Sequence, residues 1–116
     1  MTSLLFRHRG YSGADPKMAA KVAVYQGSSV PGNVAANVAT VCDVVADAAR
    51  FEAHLVVFPE IFLAGYDIGA VQVRATAVPV TDEAIGRVQL AAREARITVV
   101  LPFAERDSDD KVSRRM

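Results

Sequence analysis

The chain alternates between short apolar runs and stretches with a helical spacing of apolar positions. The apolar runs cover residues 21–26, 55–58 and 97–101 and are rich in β-branched side chains. Runs of this length and composition predict strands that are covered on both faces. Pro59 and Pro102 directly follow the second and third runs, and each ends its strand because proline has no backbone donor.

The stretch after the first run predicts an amphipathic helix. Its apolar positions recur at intervals of three and four residues: Val34, Val38, Val41, Val45 and Ala48. This spacing places them on one face of a helix. Asn33 is a suitable N-cap, and Asn37 is expected on the polar side together with most of the other polar residues.

The stretch before the third run predicts a second long helix. Thr81 is expected to cap a helix over 82–95, and the acidic residues at its start suit the positive end of the helix dipole. The preceding residues 61–80 contain two glycines and a proline. They predict a loop with at most one short helix, around 70–76.

The order strand–helix–strand–helix–strand predicts an α/β fold. Such an order implies right-handed crossovers, parallel strands and helices packed on the sheet. We expect residues 1–17 to be a disordered N-terminal extension and residues 18–116 to form the domain, with a charged end that lacks apolar periodicity.

Composition excludes several classes of function. The 116 residues include 13 basic and 13 acidic side chains, and 52% are hydrophobic. A neutral chain offers no electrostatic case for binding nucleic acid or an anionic membrane, and no apolar run is long enough to span a bilayer. Cys42 is the single cysteine, so an intrachain disulfide is impossible and a cytoplasmic location is expected. His8 and His54 lack metal-ligand spacing, and no metal or other cofactor is expected.

The loop over residues 27–32, Gly-Ser-Ser-Val-Pro-Gly, stands between a predicted strand and a predicted helix. Phosphate-binding loops occupy this place. However, the Lys-Ser/Thr pair of a P-loop is missing and the glycine spacing of a dinucleotide-binding loop does not fit. The loop is interpreted as a plain connection.

Glu60 is the main candidate for catalysis. It directly follows the second predicted strand, and ligands of open parallel sheets bind beyond the carboxyl ends of the strands. Apolar residues flank Glu60 in the sequence. Dehydration by such neighbours would raise the carboxyl pKa toward the range of a general base. The alternative interpretation is an ordinary solvated loop acid.

The run Leu-Val-Val-Phe-Pro-Glu over 55–60, continued by Ile-Phe-Leu-Ala-Gly-Tyr to Tyr66, resembles the first motif of the nitrilase superfamily of carbon–nitrogen hydrolases. The predicted strands and helices follow the family's order, and the resemblance covers roughly residues 20–111. It implies a partial α-β-β-α sandwich that supplies about the first third of a subunit. It also implies an amidase or nitrilase type of hydrolase whose intact members form homo-oligomers and act on small amides or nitriles.

The resemblance further implies a Glu–Lys–Cys mechanism in which Glu60 is the general base. Tyr66 and Phe62 are candidates to line the substrate pocket, and core packing is the alternative interpretation of both. The family's Lys and Cys follow the Glu along the chain. Lys17, Lys21 and Cys42 all precede Glu60, and Lys111 lies in the charged tail. The nucleophile and the lysine are therefore expected to be absent, and the chain is expected to be an N-terminal portion that is inactive alone.

The last residues, from Ser113 onward, depart from the Tyr-Asn-containing strand that relatives have here. This departure suggests a frameshift, a premature stop or a misannotated gene end. Two alternatives for function remain open. One is a small α/β binding module that uses the crevice at the strand ends, and the other is an interaction module that docks on a full-length paralogue.

Overall fold

The computed structural model describes residues 4–9, 20–65, 68–107, 109 and 111–115, with residues 4–9 and 114–115 described by their backbone only. Four strands form one sheet in the order β1-β2-β3-β4. They are β1 (Leu4–Arg9), β2 (Ala20–Tyr25), β3 (Leu55–Val57) and β4 (Thr98–Val100). The pairs β2–β3 and β3–β4 are parallel. The predicted parallel α/β arrangement is therefore confirmed, and the strand ends differ from prediction by one residue.

Strand β1 lies within the segment that the sequence predicts as disordered. It pairs antiparallel with β2, from Leu4 opposite Tyr25 to Arg9 opposite Ala20. The sequence predicts disorder for these six residues, whereas the structure has a strand. The physical reason is that the edge of β2 offers unpaired backbone groups, which template any adjacent extended segment. The other residues of the predicted extension lie outside the described part of the chain.

Helix α1 (Val34–Arg50) has more buried residues than the two other helices of the described chain. The predicted N-cap is confirmed, since Asn33 Oδ1 accepts a hydrogen bond of 3.0 Å from the Ala36 amide. The prediction for Asn37 is wrong: this side chain is 0% exposed and lies on the buried face with Val41 and Val44. The reason is that residues 37, 41 and 44 share the same interval of three or four residues.

Two further helices follow β3. Helix α2 (Gly69–Thr76) confirms the predicted short helix, and helix α3 (Glu83–Ala95) confirms the long one. Thr81 is not the N-cap of α3. Asp82 has this role because its Oδ1 accepts a 2.8 Å hydrogen bond from the Ala84 amide.

The core lies between the sheet and helices α1 and α3. Its members are the buried apolar residues of β2, β3, the helices and the segments that follow the strands: Ala23, Tyr25, Val38, Val41, Val44, Val45, Ala48, Ala53, Val56, Phe58, Phe62, Leu63, Ile85, Val88, Ile97, Leu101 and Phe103. Burial of this apolar surface supplies the main stabilising free energy of the domain.

The charged end of the chain forms a hairpin that its composition did not predict. Strands β5 (Phe103–Arg106) and β6 (Val112–Arg115) pair antiparallel. Asp107 closes the hairpin because its Oδ1 accepts from the backbone amides of Asp109 and Lys111, each at 2.9 Å. The sequence feature that produces this hairpin is therefore the aspartate at its turn rather than an alternation of apolar residues.

Among the described residues, no helix is long and apolar enough to cross a membrane.

Strand β4 stands at one end of the four-stranded sheet, and no strand of the described chain pairs with its outer side. An open edge of this kind promotes association between chains. We predict that the isolated chain self-associates as its concentration rises, and that Thr98→Lys, at an exposed position of β4, reduces this association. Light scattering over a concentration series measures it. Ala75→Lys adds the same charge at an exposed position of α2 and serves as the control. A wild-type chain that stays a monodisperse monomer at every concentration would contradict the prediction.

Two valines in helices provide a test of the core. Val41 is 0% exposed in α1, whereas Val71 is 83% exposed in α2. We predict that Val41→Ala lowers the free energy of unfolding by about 2 kcal/mol, because the methyl groups leave a cavity. Val71→Ala should change it little. Urea denaturation followed by circular dichroism measures both values, and equal effects would refute the proposed position of the core.

Candidate active site

The loops after β2 and β3 meet at the carboxyl ends of these neighbouring parallel strands. Between them lies an open pocket of about 490 Å³. Its lining residues are Gly27, Ser28, Ser29, Pro59, Glu60 and Phe62. The position agrees with the rule that open parallel sheets bind ligands beyond their carboxyl ends, and it agrees with the location predicted for Glu60.

The side chain of Glu60 is exposed, so the predicted dehydration by apolar neighbours is wrong for this chain. The apolar residues near Glu60 in the sequence pack into the core instead of around its carboxylate. Phe58, Phe62 and Leu63 are only 2–3% exposed and belong to the core. Glu60 therefore presents its carboxylate to the open pocket while the residues around it anchor the loop. Its role as a general base stays a prediction.

An aromatic cluster supports the floor of the pocket. The ring centroids of Tyr25, Phe58 and Phe62 lie 5.4–5.5 Å apart, and the Tyr25–Phe62 pair is edge to face. Such contacts stabilise beyond the burial of area alone. Phe62 therefore both packs in the core and lines the pocket.

Gly27 is required where β2 leaves the sheet because the Tyr25 ring passes beside it. A Cβ atom at Gly27 would lie 2.1 Å from the Tyr25 hydroxyl oxygen. The hydroxyl donates a 3.4 Å hydrogen bond to the Ser28 carbonyl. Burial raises the pKa of Tyr25, so the phenol stays protonated at neutral pH and keeps this donor.

Asn37 connects the two loops that form the pocket. Its Oδ1 accepts from the Val30 amide at 2.7 Å, and its Nδ2 donates to the carbonyls of Val30 and Leu63, both at 2.9 Å. The residue is fully buried. Each of its polar groups is therefore satisfied by a loop rather than by water.

A second link between the loops is made by the backbone. The Gly32 amide donates a 2.8 Å hydrogen bond to the Ala64 carbonyl. Gly65 has φ of +101°, and a Cβ atom there would lie 2.7 Å from Pro31 Cα. The loops approach so closely at this point that only glycine fits.

The family model described as carbon-nitrogen hydrolase matches residues 21–116. The chain belongs to the carbon–nitrogen hydrolase family. The match includes both loops of the pocket and the strand-end position of Glu60. It begins after β1, which therefore lies outside the matched region.

A solved structure gives independent support for the fold of this member of the carbon–nitrogen hydrolase family. The crystal structure of an amidase from Nesterenkonia sp. is similar over 80% of the chain, with a TM-score of 0.60 and 24% identity. The chain spans 35% of the length of that amidase chain. A comparison with curated protein sequences found no match.

The lysines of this family member do not lie at the pocket in the described structure. Lys21 belongs to the start of β2, and Gly27 follows its other end. A strand rise of about 3.3 Å per residue separates the two backbones by roughly 20 Å. Lys111 lies in the β5–β6 turn, where its amide binds Asp107. Lys17 and the predicted substrate contact Tyr66 lie outside the described residues.

Cys42 is not among the described residues that line this pocket. Its Sγ lies 3.9 Å from the Arg87 carbonyl, so it faces α3. Burial raises its pKa, and Asp43 raises it further against the opposing effect of Arg87. A raised pKa reduces the thiolate that nucleophilic chemistry requires. Within the described residues, no group of three or more His, Cys, Asp or Glu side chains could hold a metal ion.

The close contact at Gly65 provides a test of the loop arrangement. We predict that Gly65→Ala lowers the free energy of unfolding by at least about 1 kcal/mol, because alanine disfavours the positive φ and meets Pro31. Gly86 lies on the exposed side of α3, away from its ends, and a Cβ atom there would have no neighbour within 4 Å. Gly86→Ala should therefore raise the free energy of unfolding by up to about 1 kcal/mol. Urea denaturation distinguishes the two signs, and a tolerated Gly65→Ala would contradict the close approach.

Proposed function

We propose that the chain is the N-terminal portion of a carbon–nitrogen hydrolase of amidase or nitrilase type, and that Glu60 is its general base. In this mechanism Glu60 accepts the proton of a cysteine thiol, and the thiolate attacks the carbon of a small amide or nitrile. A lysine ammonium stabilises the developing negative charge. The substrate nitrogen leaves as ammonia, after addition of water in the case of a nitrile, and a further water hydrolyses the thioester to the carboxylic acid and the free thiol. The observation that supports the proposal is the carboxylate of Glu60 at an open pocket beyond two parallel strands.

The proposal includes inactivity of the chain by itself. The described residues that line the pocket include no cysteine and no lysine. Cys42 faces helix α3, and Lys21 lies at the other end of its strand. A carboxylate without a thiol can accept a proton but cannot form the acyl intermediate. The two alternatives from sequence, a small binding module and a module that docks on a paralogue, stay predictions.

A hybrid enzyme tests the role of Glu60. Residues 21–107 replace the corresponding segment of the Nesterenkonia amidase, which supplies the rest of the domain. We predict that Glu60→Gln lowers kcat/KM of the hybrid for a simple amide by roughly 10²–10⁴-fold, the usual contribution of a general base. Ammonia release measures the rate.

Glu83→Gln is the matched control because Glu83 is exposed at the start of α3, and it should leave the rate unchanged. The 116-residue chain alone should release no ammonia. A folded hybrid whose Glu60→Gln variant keeps full activity would refute the general-base role. Ammonia release by the isolated chain would refute its proposed inactivity.

A further inference from the structure

The residue after Glu60 has a strained backbone. Ile61 has φ of +53°, and of the non-glycine residues with positive φ in the described part it alone is β-branched. A β-branched residue rarely adopts this left-handed conformation. The turn at Ile61 sends the following residue into the core and leaves Glu60 exposed on the pocket side. The orientation of Glu60 therefore depends on an unfavourable backbone conformation.

The three residues that follow are each held by a different neighbour. The Phe62 amide donates to the Pro102 carbonyl at 3.2 Å. The Leu63 carbonyl accepts from Asn37 Nδ2 at 2.9 Å. The Ala64 carbonyl accepts from the Gly32 amide at 2.8 Å. Backbone strain persists only where the surrounding structure determines the conformation in this way.

Among these neighbours, Asn37 is the side chain that reaches both loops of the pocket. It binds the loop of Glu60 at Leu63 and holds both backbone groups of Val30 in the opposite loop. Ser29, which lines the pocket, directly precedes Val30. Since Asn37 is 0% exposed, water cannot easily replace these bonds. Loss of the side chain would remove the donor to the buried Leu63 carbonyl, whereas the Val30 carbonyl would keep its hydrogen bond from the Asn33 amide.

We propose that Asn37 is a positioning residue for Glu60. Its amide keeps the Glu60 loop in the strained turn at Ile61 and holds it in register with the loop that carries Ser28 and Ser29. The carboxylate is thereby held at one place in the pocket before any substrate arrives. The importance of this position for catalysis rests on the proposed role of Glu60 as a general base. The position of the carboxylate itself does not depend on that role.

The chain contains a matched control for this role. Asn33 is the same residue type at the start of the same helix, and its Oδ1 also accepts a backbone hydrogen bond, from Ala36. This bond stays within the helix terminus. Loss of the Asn33 side chain should lower stability without releasing the Glu60 loop, so the two asparagines separate stabilisation from positioning.

The test is ¹⁵N relaxation of the complete 116-residue chain, with the backbone order parameters of Glu60 and Ile61 as the readout and the melting temperature as the measure of stability. Wild type and Asn33→Ala should both give values near about 0.85, that of a rigid backbone. Asn37→Ser should lower them below about 0.6. Equal order parameters in Asn33→Ala and Asn37→Ser would overturn the proposal.

Two further variants keep the test decisive. Asn37→Asp retains the shape and the acceptor for Val30 but loses the donor to Leu63, and it replaces Asn37→Ser if that variant does not fold. Ile61→Gly removes the strain but leaves the hydrogen bonds of Asn37 in place, so the order parameter of Glu60 should stay close to that of wild type. An unchanged order parameter in Asn37→Asp, or a fall in Ile61→Gly as large as that in Asn37→Ser, would overturn the proposal. Because this readout does not involve activity, its failure is distinct from the failure of Glu60→Gln in the hybrid enzyme.

Discussion

The candidate site depends on the buried amide of Asn37. A fully buried amide must find partners for its donors and its acceptor, and Asn37 finds them on two loops that are distant in sequence. This requirement couples the exit of β2 to the exit of β3. The close approach of Gly65 to Pro31 and the strained turn at Ile61 are both compatible with this coupling. The arrangement of the pocket loops is therefore tied to one polar residue in the buried face of helix α1, together with the backbone link between Gly32 and Ala64.

The division between core and pocket follows from the same loop. Phe58 and Phe62 turn toward Tyr25 and form the aromatic cluster, whereas Glu60 between them stays exposed. This alternation places an exposed carboxylate beside buried aromatic rings at the pocket. The proposed mechanism requires a thiol and an ammonium close to this carboxylate, and the described pocket lining of this chain contains neither.

Much of the fold could be predicted from sequence because its main signals are local. Apolar runs that end in proline marked β3 and β4, and the valine spacing of α1 together with Asn33 marked that helix and its cap. The hairpin β5–β6 was missed because a single carboxylate, that of Asp107, closes it rather than an apolar pattern. Strand β1 was missed because it forms by pairing with the edge of β2, a tertiary contact that local sequence does not show.

For the site, the strand-end position of Glu60 was predictable, but its exposure was not, since apolar neighbours in sequence need not be neighbours in space. The burial of Asn37 was missed because the residue is polar, although its spacing from Val41 and Val44 places it on the buried face of the helix.

The most direct test of this account is the hydrogen-exchange rate of the Asn37 side-chain amide, measured by NMR beside that of Asn33. The Asn37 protons are buried and donate to the carbonyls of Val30 and Leu63, whereas Asn33 is exposed and uses only its oxygen. We expect the Asn37 protons to exchange at least roughly 100-fold more slowly, because exchange there requires the loops to open. Equal exchange rates for the two side chains would contradict it.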